Sequence, residues 1–125
     1  MERYLLDSSA ILNILEGSAE GRKAAGILRG NEVVTSIVCY CEVLNKASRE
    51  KQSAAEAFLS KVPVFPVSLA DGYEARKIAD SCRKDGNYVP TLDCIIAATA
   101  KNNNATVVTM DDDFARMAEV RKVVI

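Results

Sequence analysis

Short apolar runs alternate with longer amphipathic segments along the chain. Runs at 4–6, 32–35, 105–109 and 122–125 predict β-strands, and the proline-flanked segment 63–67 predicts a short edge strand. Between them, apolar residues recur at helical spacing. The predicted helices are 10–16, 19–28, 36–50, 53–61, 69–84 and 92–101, with a helical turn over 113–117. This alternation indicates an α/β domain in which helices cover both faces of a mainly parallel sheet.

Capping residues and glycines mark the expected ends of these helices. Ser8 or Ser9 is expected to cap the first helix and Ser36 the third, because a side-chain oxygen there can accept a free backbone N–H. Gly17 is expected to end the first helix. The serine caps lie directly after predicted strands and mark the strand-to-helix junctions.

Composition narrows the class of protein. The chain has 125 residues, 49% of them apolar, which predicts one globular domain over 1–125. Sixteen Lys and Arg against 17 Asp and Glu give a net charge of −1, so bulk positive charge cannot supply nucleic-acid binding. We find no signal peptide and no run long enough to span a bilayer, and we therefore expect a cytoplasmic protein.

The absence of histidine restricts the available chemistry. Without it, Ser-His-Asp and Cys-His catalysis and the zinc-deaminase signature are excluded. The four cysteines form no C-x-x-C pair, so we expect free thiols rather than a zinc site. Carboxylates, hydroxyls, amides and the cationic side chains remain as candidate functional groups.

Two aspartates follow predicted strands. Asp7 ends the first strand and Asp111 lies just past the strand at 105–109. Ligands of parallel sheets bind beyond the carboxyl ends of the strands, so both acids are expected at one edge. The alternative is that each merely caps a turn or helix, a role that Asp often has.

Asp93 lies in a helix that is otherwise almost entirely apolar. A helix that is apolar on all sides is buried, and a buried carboxylate must be paired, hydrogen-bonded or bound to a metal. The alternative is an Asp in the first helical turn that the backbone N–H groups and the helix dipole satisfy.

Glu42 is placed on the third helix. Ile37, Tyr40, Cys41 and Leu44 recur at helical spacing and predict its core face, from whose centre Glu42 lies about 150° away. The simple interpretation is a solvated face with a Glu42–Lys46 pair four residues apart. A functional Glu42 requires that this face line a cleft.

The four acids together predict a metal site. Carboxylates held within a few ångströms repel one another, and a divalent cation relieves that repulsion. Mg²⁺ and Mn²⁺ prefer carboxylate and water oxygens, activate water, and stabilise phosphodiester displacement.

Four stretches of the chain, in the same order, resemble the PIN-domain ribonucleases, especially the VapC-like toxins of toxin–antitoxin pairs. They are Leu5-Leu6-Asp7-Ser8-Ser9, Thr35-Ser36 to Glu42-Val43-Leu44, Pro90-Thr91-Leu92-Asp93 to Ala100, and Val107-Val108-Thr109-Met110-Asp111-Asp112-Asp113-Phe114. The resemblance implies a PIN-like three-layer α/β/α fold with a central, mainly parallel sheet. It also implies metal-dependent endonucleolytic cleavage of RNA by metal-activated water, with one or two Mg²⁺ or Mn²⁺ ions in each active site.

The resemblance also implies roles for individual residues. Asp7, Glu42, Asp93 and Asp111 would be the catalytic, metal-binding acids, and Asp113 a less certain fifth ligand. Ser9 and Thr109 would supply supporting hydroxyls. Of the three successive acids, Asp111 is favoured because it follows the strand and Thr109 directly, whereas Asp112 is expected to be solvated.

Substrate and partners follow from the same resemblance. Lys46 and Arg49 are candidate phosphate contacts, with Arg116 as a further candidate; a solvated, helix-pairing role is the alternative. RNA, a cognate antitoxin and a second copy of the chain are the expected partners. Two other functions stay open: a catalytically silent, PIN-like partner-binding module, and a receiver-like phospho-acceptor domain, which would need an acceptor Asp where Ser36 follows the second strand.

Overall fold

Five parallel strands form the centre of the structure, a computed structural model that describes residues 1–125. They are β1 (Arg3–Leu6), β2 (Glu32–Ser36), β3 (Val64–Phe65), β4 (Thr106–Thr109) and β5 (Lys122–Val124). Their order across the sheet is β3-β2-β1-β4-β5, and each neighbouring pair is parallel. The two-residue β3 lies at the edge, as its flanking prolines predict. The carboxyl ends of all strands therefore meet at one side of the sheet.

Six α-helices connect and cover the strands. They are α1 (Ser8–Glu16), α2 (Ala19–Leu28), α3 (Ile37–Lys46), α4 (Gln52–Leu59), α5 (Leu69–Lys84) and α6 (Thr91–Asn102), with short 3₁₀ helices at Arg49–Lys51 and Asp112–Arg116. None of the six has both the length and the apolar character that crossing a membrane would require.

Two details of the predicted helices are wrong. The helix expected over 36–50 ends at Lys46, because the backbone is extended at Ala47 and the Gln52 amide donates to the carbonyls of Leu44 and Ala47. The cap of α1 is Asp7 rather than Ser8 or Ser9, since the Asp7 carboxylate accepts the Ala10 N–H at 2.9 Å. Ser36 caps α3 as expected, accepting the N–H of Cys39.

Alternate residues of the central strands face two hydrophobic cores. Leu5 and Val107 pack with α5 and α6 on one face, whereas Leu6 and Val108 pack with α1, α2 and α4 on the other. All four side chains are fully buried. Because each strand contributes to both cores, the sheet is the middle of three layers, and the predicted α/β/α fold is confirmed.

Two glycines fix the position of α1 against α2. Gly17 ends α1 with φ of +69°, a left-handed conformation that favours glycine. At Gly21 a Cβ atom would lie 2.1 Å from the Asn13 carbonyl oxygen, so only glycine allows α2 to approach so closely. This close packing holds α1 in place, with its first residues directly beyond the end of β1.

Candidate active site

An acidic cavity opens at the carboxyl edge of the sheet. Its volume is about 390 Å³, and five carboxylates line it: Asp7, Glu42, Asp93, Asp111 and Glu16. Asp7 follows β1, Glu42 lies on α3, Asp93 is in the first turn of α6, and Asp111 follows β4. The structure therefore brings together all four acids that the sequence analysis selected.

The tightest acidic group in the structure consists of Asp93, Asp111 and Asp113. One carboxylate oxygen from each lies within 4.8 Å of the others. All three side chains are partly buried, whereas Asp112 between the last two is exposed. The structure thus places Asp111 and Asp113 together rather than selecting one of them.

Asp7 is held in place by hydrogen bonds. It is 4% exposed, and its Oδ1 accepts from the Ala10 N–H at 2.9 Å and from the Ser9 hydroxyl at 2.7 Å. Its Oδ2 accepts from the Thr109 hydroxyl. Burial raises the pKa of Asp7 and these hydrogen bonds oppose the rise. Asp7 therefore both caps α1 and lies beside the other acids of the cavity.

The two predicted hydroxyls join the strand ends to Asp7. Besides donating to Asp7, Ser9 Oγ accepts the Met110 N–H at 3.0 Å. Thr109 is fully buried, and its hydroxyl oxygen accepts the Asp111 N–H at 2.8 Å while donating to Asp7. Each hydroxyl therefore links α1 to the segment that carries Asp111.

Asp93 has the most perturbed carboxylate of the cavity. Burial first, and then the negative charges of Asp111, Asp113, Asp7 and Glu42, raise its pKa to about 7. No protein group donates a hydrogen bond to this side chain, in contrast to Asp7. A carboxylate that is half-buried, repelled by its neighbours and unpaired has the electrostatic character of a cation ligand.

The buried face of α3 differs from the predicted one, and this difference explains why Glu42 reaches the cavity. The fully buried residues of α3 are Cys39 and Val43, whereas Ile37 and Cys41 are exposed. Glu42 therefore lies at the margin of the buried face, where its Oε1 accepts from the Ser8 hydroxyl at 3.2 Å.

Three cationic side chains near the acids differ in position. Lys46 lines the cavity and lies 3.8 Å from Glu42 Oε2. Arg116 donates to Asp113 Oδ1 at 2.8 Å. Arg49 is exposed in the 3₁₀ helix after α3 and does not line the cavity. The acids thus outnumber the nearby cations.

Sequence reasoning missed several residues of the cavity wall. Ser8 contacts Glu42, and the side chains of Asn13 and Glu16 line the wall on α1. Ser9, Asn13 and Glu16 are four and three residues apart, the spacing of one helix face. That polar stripe on an otherwise apolar helix was the signal that could have identified them.

The donor set of the cavity fits a hard divalent cation. Its potential ligands are carboxylate and hydroxyl oxygens, with neither histidine nor thiolate among the lining residues. Oxygen-only sets of this kind suit Mg²⁺ and Mn²⁺ rather than zinc. Asp93, Asp111 and Asp113 would be the ligands nearest to one another.

Comparison with protein families identifies this arrangement. A family model described as "PIN domain" matches residues 4–120, which includes every acid discussed above. The chain belongs to the PIN domain family. No curated protein sequence matches the chain significantly.

Solved structures with this PIN fold include several toxin–antitoxin proteins. A chain of VapBC2 from Rickettsia felis, in a complex bound to a promoter DNA fragment, superposes with a TM-score of 0.81 at 18% identity over 98% of both chains. VapBC-5 from Mycobacterium tuberculosis gives 0.72 at 23% identity, covering 100% of this chain and 98% of that one. VapC20 from the same organism, described as a toxin that cleaves the sarcin-ricin loop, gives 0.73 at 18% identity, covering 96% and 98%.

Proposed function

We propose that the chain is a metal-dependent endoribonuclease that hydrolyses RNA phosphodiester bonds. The observation that carries the proposal is the Asp93, Asp111 and Asp113 cluster, whose carboxylate oxygens lie within 4.8 Å of one another. Membership of the PIN family and the likeness to a sarcin-ricin-loop-cleaving toxin support a nuclease with RNA as substrate.

Asp93, Asp111 and Asp113 would hold the divalent cation, with Asp7 and Glu42 at the same cavity. When bound, Mg²⁺ or Mn²⁺ would lower the pKa of a water molecule and neutralise charge on the phosphate. The protein's own contribution is to fix the acids: Ser9 and Thr109 orient Asp7, Ser8 orients Glu42, and Arg116 orients Asp113. Lys46 would contact a phosphate of the substrate.

We propose further that the nuclease is the cytoplasmic toxin of a toxin–antitoxin pair. Support comes from the VapBC2 and VapBC-5 structures, which belong to such pairs. The four free cysteines suit a reducing compartment. A homodimer is also proposed, since Leu69 and Tyr73 lie one turn apart on α5 and are 73% and 65% exposed.

Cleavage assays test the proposed activity. The wild-type chain should cleave single-stranded RNA with Mn²⁺ or Mg²⁺ and lose the activity in EDTA. Asp93→Asn and Asp111→Asn should each lower the rate at least about 100-fold, because metal ligands and charge stabilisation contribute several kcal/mol to such transition states. Asp112→Asn, an exposed acid of the same segment, is the matched control and should cleave normally.

A partner-binding module without catalysis is the second candidate. It would bind an antitoxin and leave RNA intact in all of these reactions, which would overturn the nuclease proposal. The phospho-acceptor alternative has no support, because the chain is a PIN domain.

A further inference from the structure

A second depression continues the acidic cavity along the protein surface. It has a volume of about 140 Å³ and shares Leu12, Glu16 and Lys46 with the acidic cavity. Its other lining residues, between α1 and the turn after α3, are Leu15, Ala47, Ser48 and Lys51. We call this depression the α1–α3 groove. Because three lining residues are shared, the cavity and the groove lie side by side on the surface.

The acidic cavity and the α1–α3 groove have linings of opposite charge. The cavity is dominated by carboxylates, whereas the α1–α3 groove carries two lysines, Lys46 and Lys51, against a single acid, Glu16. Lys51 forms no ion pair. Lys46 has only a long pair of 3.8 Å with Glu42, and its side chain is 56% exposed, so the pair holds it weakly. Both ammonium groups are available to an anion.

Hydrogen bonds in the turn after α3 hold the groove in shape. The Gln52 side-chain amide donates to the carbonyls of Leu44 and Ala47 at 2.9 and 2.8 Å, which fixes the turn between α3 and α4. The Lys51 N–H donates to the Ser48 carbonyl at 2.9 Å. Leu12 and Leu15 provide an apolar surface beside the two lysines. The groove thus offers an apolar contact for a base or ribose and cations for a phosphate.

We propose that the α1–α3 groove binds a single RNA strand next to the bond that is cleaved. Lys46 and Lys51 would bind consecutive phosphates, and Leu12 and Leu15 would contact the intervening nucleoside. Single strands are bound in this way by positively charged grooves that follow the backbone. This inference rests on the proposed RNA substrate, and it adds Lys51, a side chain that sequence reasoning did not select.

Binding of a short, fluorescein-labelled single-stranded RNA, measured by anisotropy, tests the groove. An Asp93→Asn background keeps the RNA intact. In that background Lys51→Gln should raise Kd about three- to tenfold and reduce the slope of log Kd against log salt by about 0.7, the value for one lost phosphate contact on a single strand. Lys77→Gln removes the same charge from an exposed lysine of α5, on the other side of the sheet, and should change Kd less than about twofold.

The outcomes separate the groove from the nuclease proposal. If Lys51→Gln matches Lys77→Gln while the wild-type chain cleaves RNA with Mn²⁺, the groove inference is overturned and the proposed activity stands. If the wild-type chain cleaves no RNA but Lys51→Gln weakens binding as expected, the activity fails and the groove inference stands. If Lys51→Gln abolishes binding of labelled poly-glutamate but not of RNA, the groove takes an acidic peptide, which overturns the inference.

Discussion

Two carboxylates in the first turns of neighbouring helices, one buried and one half-buried, have opposite environments. Asp71, at the start of α5, is 2% exposed and accepts hydrogen bonds from the Ser68 N–H, the Asn102 amide and the Thr99 hydroxyl. Asp93, at the start of α6, accepts no hydrogen bond from the protein and is repelled by four other acids, which together with burial raise its pKa to about 7.

The difference is the one expected between a structural acid and a candidate cation ligand. Both carboxylate oxygens of Asp71 accept hydrogen bonds from the protein, and these bonds hold α5 and α6 together. No protein donor or cation compensates the negative charge of Asp93, and a bound metal cation could do so. Asp7 lies between these two cases, because it accepts three hydrogen bonds and still lines the acidic cavity. The position of a buried acid relative to other acids is therefore as informative as its number of protein donors.

Exchanging each acid for an uncharged residue should give opposite effects on stability. Asp71→Ala removes a capping box and leaves the Asn102 amide without its acceptor, so the unfolding free energy should fall by about 3 kcal/mol. Asp93→Asn should leave the metal-free stability unchanged or higher, since it relieves repulsion. Urea denaturation in EDTA measures both. A destabilised Asp93→Asn protein would mean that Asp93 is a structural acid.

Divalent metal should stabilise the protein through the functional acids only. At free Mn²⁺ of about 100 times Kd, binding to the native state contributes roughly 2.7 kcal/mol to the unfolding free energy. This gain should persist in Asp71→Ala and largely disappear in Asp93→Asn. Thermal melts with and without Mn²⁺ measure it. An equal gain in both variants would place the ion outside the Asp93 cluster.

The positions of the strands along the chain could be predicted well, because parallel α/β folds impose local signatures. Buried strands such as β4 are short apolar runs, and the acids that follow them must lie at one edge of the sheet. Asp7 and Asp111 could therefore be assigned to a shared edge before any coordinates. The assignment needed only chain direction, not side-chain detail.

The environment of Glu42 could not be predicted in the same way. Periodicity on α3 identifies apolar residues but not what covers them, and Ile37 and Cys41 are exposed despite their spacing. The Asp71 network was also missed. Its contact with Ser68 is a local capping box, but its other donors, Thr99 and Asn102, become neighbours of Asp71 only when α6 packs on α5. Contacts between helices depend on packing that no short pattern specifies.

Two buried threonines extend the comparison to the groups that support each acid. Thr109 donates to Asp7 and Thr99 donates to Asp71, and both are fully buried. Thr109→Val should slow RNA cleavage about tenfold and cost about 1.5 kcal/mol of stability, since a hydrogen bond to a charged group is lost. Thr99→Val, its control, should lower stability by about 1 kcal/mol and leave the cleavage rate unchanged, because the Thr99 hydroxyl bonds only Asp71 and the Ile95 carbonyl. Equal rates in the two variants would remove Thr109 from the site.

The smallest expected effect is a pH dependence that belongs to Asp93. Its pKa is about 7 in the folded protein and about 4 in an unfolded chain, so the folded state binds more protons between these values. The stability of the metal-free protein should therefore decrease as pH rises from 5 to 8 relative to Asp93→Asn, in which the titrating group is gone. Solvent on the open side of the cavity screens the repulsion, so the difference in melting temperature should change by only about 3 °C over this range. Melting curves of both proteins in EDTA measure it, and parallel pH profiles would show that Asp93 is not held at a raised pKa by its acidic neighbours.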